Sequence, residues 1–419
     1  MRLVSLATRN LIRNPIRSAL TAAAVSFGLA LMMWMVVIQT GQHRDMISTA
    51  LETSSGYVVV QHAGYQAEMD SKLILEGSGA IAEAIQTTLP EAVVLRRATL
   101  PGLLTSTKNN ASAGLLALDQ AAEAPYQATV ADSIIAGAWG NTGRSSLVIG
   151  EKMATSLGVE VGDKVVYMGQ HGTDDIESKL LRVGGIFRTG NADLDGFAAF
   201  ADFTYLQSLM PGDDPAHQVS VQLGDTVAPE NEAAVAALRD QIARALSDTT
   251  DTEVLAWMEA LSDLKDFIEV DRMGNDIMFG FLSVVIFAGV FNTTVMSTAE
   301  RTREIGVLMA IGMQPMTVLR LILLEATMLA VVAVALGLVL GSAISYPTIH
   351  YGIDFSAMVG GANNFEAGGV VVSSTILGAW NWPKVTVYTG LTVIFSALSA
   401  VYPAWSATRL SPVDAMRHH

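Results

Sequence analysis

The chain has 419 residues, 51% of them hydrophobic and only 16% charged, with a mean hydropathy of +0.39. That balance excludes an ordinary soluble globular protein and points to a membrane protein. Cysteine is absent, which excludes disulfides, thiolate metal sites and a cysteine nucleophile. The net charge of −15 is uneven. Residues 42–272 hold 33 acidic against 15 basic side chains and the remainder 7 against 10, so the acidic portion lacks the basic footprint of nucleic-acid binding.

Residues 1–18 carry Arg2, Arg9, Arg13 and Arg17 and no acid, and the run from Ser18 to Gln42 carries no charge. The run is longer than a signal-peptide core and no small-x-small site closes it, so it predicts an uncleaved span over Leu20–Gln39. This sets a cytoplasmic segment at 1–18 and a first transmembrane helix with its stalk at 19–41.

Residues 42–272 predict one large α+β domain, or a pair of them, with a seam near Asp119–Pro125 or Asn141–Arg144. Tyr57–Gln61 and Val219–Leu223 are short and β-branched, as strands are. Gly79–Leu89 and Glu230–Leu246 predict helices, the second with Val235, Leu238, Ile242 and Leu246 on one stripe. In Ser146–Tyr167 the order is strand, a helix closed by Gly158, a turn at Gly162–Asp163 and a strand. Thr252–Asp276 places Trp257, Leu261, Leu264, Phe267 and Ile268 at helical spacing. It predicts a stalk continuous with the second span, or else a helix lying on the domain surface.

Charge vanishes over 277–299 and again over 326–349, giving spans at 277–299 and about 321–346, the second ended by Pro347. A last span falls at 385–405, followed by the tail 406–419. The uncharged stretch Ala367–Pro383 is rich in Gly, Ser and Pro, and predicts a strand pair or loop rather than a fifth span. Four crossings put both termini on the arginine-rich side and the acidic domain outside. Between spans two and three lies a charged island, Glu300, Arg301, Arg303 and Glu304. It predicts a short helix, about 297–312, at the cytoplasmic membrane surface, placed to pass force to a soluble partner. Anchoring to lipid headgroups is the plainer use of the same charges. Gly337 and Gly341 form a small-xxx-small pair that favours close helix packing.

No P-loop, nucleophile-elbow or HExxH motif occurs, and Gly150–Glu151–Lys152 lacks the P-loop spacing. Asn191, Asp193, Asp195 and Asp202 match the skeleton of a calcium loop. A neutral first position, a short Asp at the last and a strand-like approach argue against it, and no metal is expected. His171 with Asp174 and Asp175 forms a polar loop lacking the partners of a zinc site. Glu325 and Asp276 mark the interfacial ends of spans.

The run from Glu300 through Arg301, Thr302, Arg303, Glu304, Ile305 and Gly306, then Ala310–Ile311–Gly312 and Leu319–Ala326, closely resembles the span-two to span-three segment of FtsX-like ABC transporter permeases. Tyr402–Arg417 resembles that family's ending. Leu147–Glu151, Leu157–Val159 and Val161–Asp163 resemble the MacB-like periplasmic core domain. In layout the chain is most similar to the LolC/LolE lipoprotein-releasing permeases. The resemblance implies a polytopic α-helical membrane protein with four transmembrane helices and a large extracytoplasmic α+β domain, set in the bacterial inner membrane. The permease domain would occupy 273–419. It further implies a non-catalytic subunit that binds no cofactor itself, and two cytoplasmic ABC ATPase subunits that bind ATP and magnesium. A second permease chain, identical or related, and a periplasmic cargo or chaperone complete the implied assembly. Glu300, Arg301, Thr302, Arg303, Glu304, Gly306 and Gly312 would couple to the ATPase. Extraction or export of lipoprotein or another lipophilic cargo is the implied function. The alternatives are a permease that only transmits force to a periplasmic partner such as a peptidoglycan hydrolase, or a MacB-type efflux component.

Overall fold

The computed structural model describes residues 6–409 apart from 10–12, 14, 69, 141–142, 172–174, 191–193, 225–226, 248, 357–363 and 368–369. The chain divides into two compact units, a helical one (1–42, 269–353 and 376–419) and an α+β one (43–268 and 354–375).

The helical unit is built from the apolar runs. Helix α1 spans Pro15–Ala50, α2 Ser262–Glu300, α3 Thr302–Ala310, α4 Pro315–Tyr351, α5 Trp382–Ser399 and α6 Val401–Thr408. Among the described residues, four stretches are long and apolar enough to cross a bilayer: Ser18–Ala50, α2, α4 and Trp382–Thr408. Met32, Met33 and Val36 of α1 bury against Phe279 of α2 and Val385 of α5. Gly337 and Gly341 line the face of α4 that meets α1. A Cβ on Gly337 would lie 3.0 Å from the Ser26 carbonyl oxygen, and one on Gly341 2.7 Å from Met33 Sδ. The small pair therefore serves packing within the chain.

Two span ends differ from expectation. Helix α4 continues through Pro347 to Tyr351. Proline there forfeits one ladder bond in the last turns, and Gly352, at φ 73°, then ends the helix. The last span is broken at Ala400 into α5 and α6. Pro403 has no N–H to offer the Ser399 carbonyl, and the chain bends at that turn.

The α+β unit holds a ten-stranded sheet: β1 (Val58–His62), β2 (Val93–Thr105), β3 (Asn110–Leu118), β4 (Ile134–Gly137), β5 (Ser146–Gly150), β6 (Lys164–Gly169), β7 (Glu177–Phe187), β8 (Ala198–Asp202), β9 (Gln218–Gln222) and β10 (Thr252–Ala256). Their order is β10-β1-β9-β2-β3-β8-β5-β7-β4, with β6 pairing β2 and β7. The strand–helix–strand expected over Ser146–Tyr167 is present, with helix Glu151–Leu157 ended by Gly158 in the left-handed region. Helices Ser78–Thr88 and Glu232–Ala245 cover β1 and β9, burying Ile81, Ile85, Val235 and Ile242.

Among the described residues of this unit three apolar cores result, and the two larger share β2. Its first half, Val93–Arg97, pairs with β9; its second, Ala98–Thr105, pairs with β3. The division thus falls within one strand rather than at Asp119–Pro125 or in the described part of Asn141–Arg144. The helix expected from Thr252 is also corrected. Residues Thr252–Ala256 pair with β1, and α2 begins only at Ser262. Thr252 and Val254 are β-branched and fill an edge position, so sheet pairing overrides the helical spacing downstream. Trp257, Leu264 and Ile268 still bury on one core. Of the stretch Ala367–Pro383, Val370–Ser373 forms a strand, but its antiparallel partner, Asn364–Ala367, lies almost wholly before that stretch, so the pair starts earlier than expected.

Candidate functional site

The charged island is a helical elbow. Helix α2 runs to Glu300, Arg301 leaves the helical region (φ −100°, ψ 11°), and α3 follows from Thr302 to Ala310. Gly312, at φ 102°, reverses the chain, and Pro315 opens α4 after extended Gln314. The short helix is thus 302–310, with Ser297–Glu300 belonging to α2. On its inner face Ile305 and Gly306 are buried, and Ile305 packs with Val318 and Ile322 of α4 and with Ala404 and Ala407 of α6.

The predicted coupling residues divide between two faces. Arg301 turns inward. Its guanidinium donates to Glu325 of α4 at 2.7 Å and approaches Glu304 at 3.4 Å. The Arg301 and Glu325 side chains are only 18% and 13% exposed. Thr302 donates its hydroxyl back to the Ala299 carbonyl, knitting the break. Arg13 reaches Glu304 at 2.9 Å on the exposed side. Arg303, Val307 and Ile311 are exposed instead, Ile311 at 78%, and Arg303 and Val307 also border an open groove with Leu6 and Arg13. Spaced four residues apart, they form one stripe, joined by exposed Met316 past the turn. Glu300 is exposed as well. The apolar members Val307 and Ile311 are not among the residues predicted from charge; the i, i+4, i+8 spacing from Arg303 is the signal that carries them.

Behind Arg301 lies a cavity of about 90 Å³ lined by Ser18, Thr21, Thr294, Ser297 and Thr298 along with Glu325. Thr294 and Thr298 donate to their own helix carbonyls. At about 30 Å³ per molecule the cavity has room for roughly three waters beside the ion pair. This arrangement holds no nucleophile–base pair. It offers a hinged helix with a mixed basic and apolar outer stripe, tied at the back to α4 by one ion pair.

The remaining predicted residues lie elsewhere. Asn191 and Asp193 fall outside the described residues. Asp195 is buried and spends its carboxylate on Thr189 N and Oγ1 and on Gly190 N. Asp202 caps helix Phe203–Leu206 through Tyr205 N. Both carboxylates therefore hold local turns. Asp276 accepts from the Tyr388 hydroxyl at 2.8 Å. His171, expected in a polar loop, is 1% exposed and lies 2.8 Å from the Tyr167 hydroxyl, and burial beside His217 lowers its pKa to about 4. Apolar strands flank that loop, and they draw the imidazole inside. Asp174 falls outside the described residues.

Four long apolar helices, an inserted α+β unit and a charged elbow after the second helix define a permease-type membrane subunit. The profile of the FtsX-like permease C-terminal region matches residues 277–412, and that of the MacB-like periplasmic core domain matches residues 18–244. The chain belongs to the FtsX-like permeases that carry a MacB-like periplasmic core domain. It is 23% identical over 286 residues to the lipoprotein-releasing system transmembrane protein LolC of Xylella fastidiosa strain 9a5c, across 66% of this chain and 65% of that one. It is 32% identical over 165 residues to the macrolide export ATP-binding/permease protein MacB of Rhodopirellula baltica, across 37% of this chain and 21% of that one. The chain thus spans less than two thirds of the length of either relative. The solved periplasmic region of MacB from Actinobacillus actinomycetemcomitans is 12% identical with a TM-score of 0.35, covering 51% of this chain and 92% of that structure.

Proposed function

We propose that this chain is the permease subunit of an ABC transporter of the inner membrane. Its four helices cross the bilayer, its termini and elbow face the cytoplasm, and its α+β unit stands in the periplasm. Hydrolysis of ATP with magnesium takes place in a separate ATPase, present in two copies, and a second permease chain completes the assembly. The observation that carries the reading is the outward stripe Arg303–Val307–Ile311 on a helix hinged between two apolar helices. A short amphipathic helix of this kind suits a groove on a soluble partner. Arg301 does not belong to that contact surface; it holds the hinge to α4 through Glu325. The cargo is a lipoprotein or another lipophilic molecule, a choice supported by the length of the LolC match.

Purification of the full chain from its own host tests this. The chain should retain an ATPase, and Arg303→Glu combined with Ile311→Glu should release it while the chain remains folded. Retention by that variant would show that the stripe does not dock the ATPase and faces lipid headgroups. Orientation is tested by single cysteines in this thiol-free chain. A label at 302 should be reached by an impermeant reagent only after the inner face is opened, and one at 170 from outside.

A further inference from the structure

The first long helix ends in an unusual way. Beyond Ala50 the chain makes one π-helical turn, Leu51–Ser55, closed by the Gly56 N–H donating to the Leu51 carbonyl at 2.9 Å. The last carbonyls of a helix lack partners within it. Here, within the α+β unit that holds residues 43–55, they are taken by side chains of β2 and β9. Gln222 Nε2 donates to the Leu51 carbonyl at 2.8 Å, an Arg97 guanidinium nitrogen to the Glu52 carbonyl at 3.0 Å, and Ser220 Oγ to the Ser55 carbonyl at 2.9 Å. Gly56 sits at φ 69°, where a Cβ would lie 2.4 Å from Ser220 Oγ and 2.7 Å from the Val221 carbonyl oxygen. The next residue, Tyr57, donates to that same Val221 carbonyl at 2.8 Å.

Arg97 is held in turn by Glu123. The fork is bidentate, Nε to Oε1 at 2.6 Å and a terminal nitrogen to Oε2 at 2.7 Å, with side chains 1% and 0% exposed. Such a pair is a poor device for stability, because apolar residues of similar volume fill the same space at no loss. What apolar residues cannot do is present an N–H to a main-chain carbonyl. The planar fork leaves one donor of Arg97 fixed in direction, and that donor meets Glu52.

We infer that Arg97, oriented by Glu123, is a positioning residue that fixes the rotation and register of residues 43–55, the part of the first long helix and its π turn that belongs to the α+β unit, against the central strands, so that this segment cannot turn without moving the sheet. Reversion of the π turn to α would take up one residue and rotate the helix before it by about 100°. The directional bonds to Leu51, Glu52 and Ser55 oppose that rotation where apolar contacts would permit it. The local claim stands on geometry alone; its use in carrying motion from the elbow rests on the permease reading above.

Hydrogen exchange on the full chain, purified with its retained ATPase, tests both steps. The variant Arg97→Met with Glu123→Leu keeps the volume and removes the bonds. Its thermal midpoint should stay near that of the parent while exchange across 51–57 quickens about tenfold, the loss of roughly one net hydrogen bond. Unchanged exchange there overturns the inference, whatever the complex does. If the variant fails to fold, Gln222→Leu with Ser220→Ala removes two of the other bonds, and the same reading at 51–57 decides. Adding a non-hydrolysable ATP analogue should alter exchange at 302–310 in parent and variant alike, and at 58–62 only in the parent. Persistence of the response at 58–62 in the variant rules out a transmitting role for Arg97. No response at 302–310 in the parent counts against the permease reading instead, leaving the local result to stand by itself.

Discussion

Two arginine–glutamate pairs stand at two turning points of the chain, and their surroundings differ. Arg97–Glu123 lies dry in the α+β unit, bidentate and fully enclosed, with a third bond to main chain. Arg301–Glu325 lies in the helical unit at a helix break, makes one close contact, and borders a hydroxyl-lined cavity. In a low-dielectric enclosure an ion pair is strong but unforgiving, since neither partner tolerates loss of the other. Beside water it is weaker and easily exchanged. The first pair suits a fixed joint and the second a hinge that opens and recloses.

The largest effect separating them should come from deleting each acid. Glu123→Ala leaves an enclosed guanidinium unpaired and should cost about 3–5 kcal/mol in chemical denaturation of the full chain. Equal losses for Glu123→Ala and Glu325→Ala would erase the distinction. Acid should sharpen it next. His171 and His217 in the α+β unit both have pKa values lowered chiefly by burial, His171 to about 4 from 6.5. The unfolded chain then binds more protons than the folded one between pH 6.5 and about 4, so stability is complete above 6.5 and falls with pH through that window. The slope is at most about 1.4 kcal/mol per pH unit for each histidine. It should flatten in His171→Leu, and an identical slope in that variant would refute the assignment. The smallest effect is the hinge pair itself. Glu325→Ala should cost about 1 kcal/mol, because the neighbouring cavity admits water to the freed arginine. A loss of several kcal/mol would mean that the elbow is rigid.

Much of this architecture is legible in the residues. Uncharged runs long enough to cross a bilayer announce the apolar helices, and the clustered charges of Glu300–Glu304 announce the elbow between two of them. Gly158 ends its helix and Gly312 turns the elbow as left-handed glycines do. Side-chain direction is less legible. Arg301, at the break, and Arg303, in α3, are two residues apart and so point to nearly opposite sides, but their charge alone does not tell which of them meets the bundle. Thr252–Ala256 has helical spacing after it, yet it pairs with β1, a partner nearly 200 residues away that local pattern does not reveal. The Arg97–Glu123 joint depends on contacts between β2, the segment after β3 and the end of α1. No short motif records such a meeting.

Strand β2 has a practical consequence. Because its thirteen residues serve the two larger apolar cores, neither lobe of the α+β unit has a sheet of its own to fold on. A truncation made on either side of β2 would strip one lobe of an inner strand and leave an open edge prone to aggregation. Fragment expression, antibody production or domain grafting therefore has to keep the two lobes within 43–268 together.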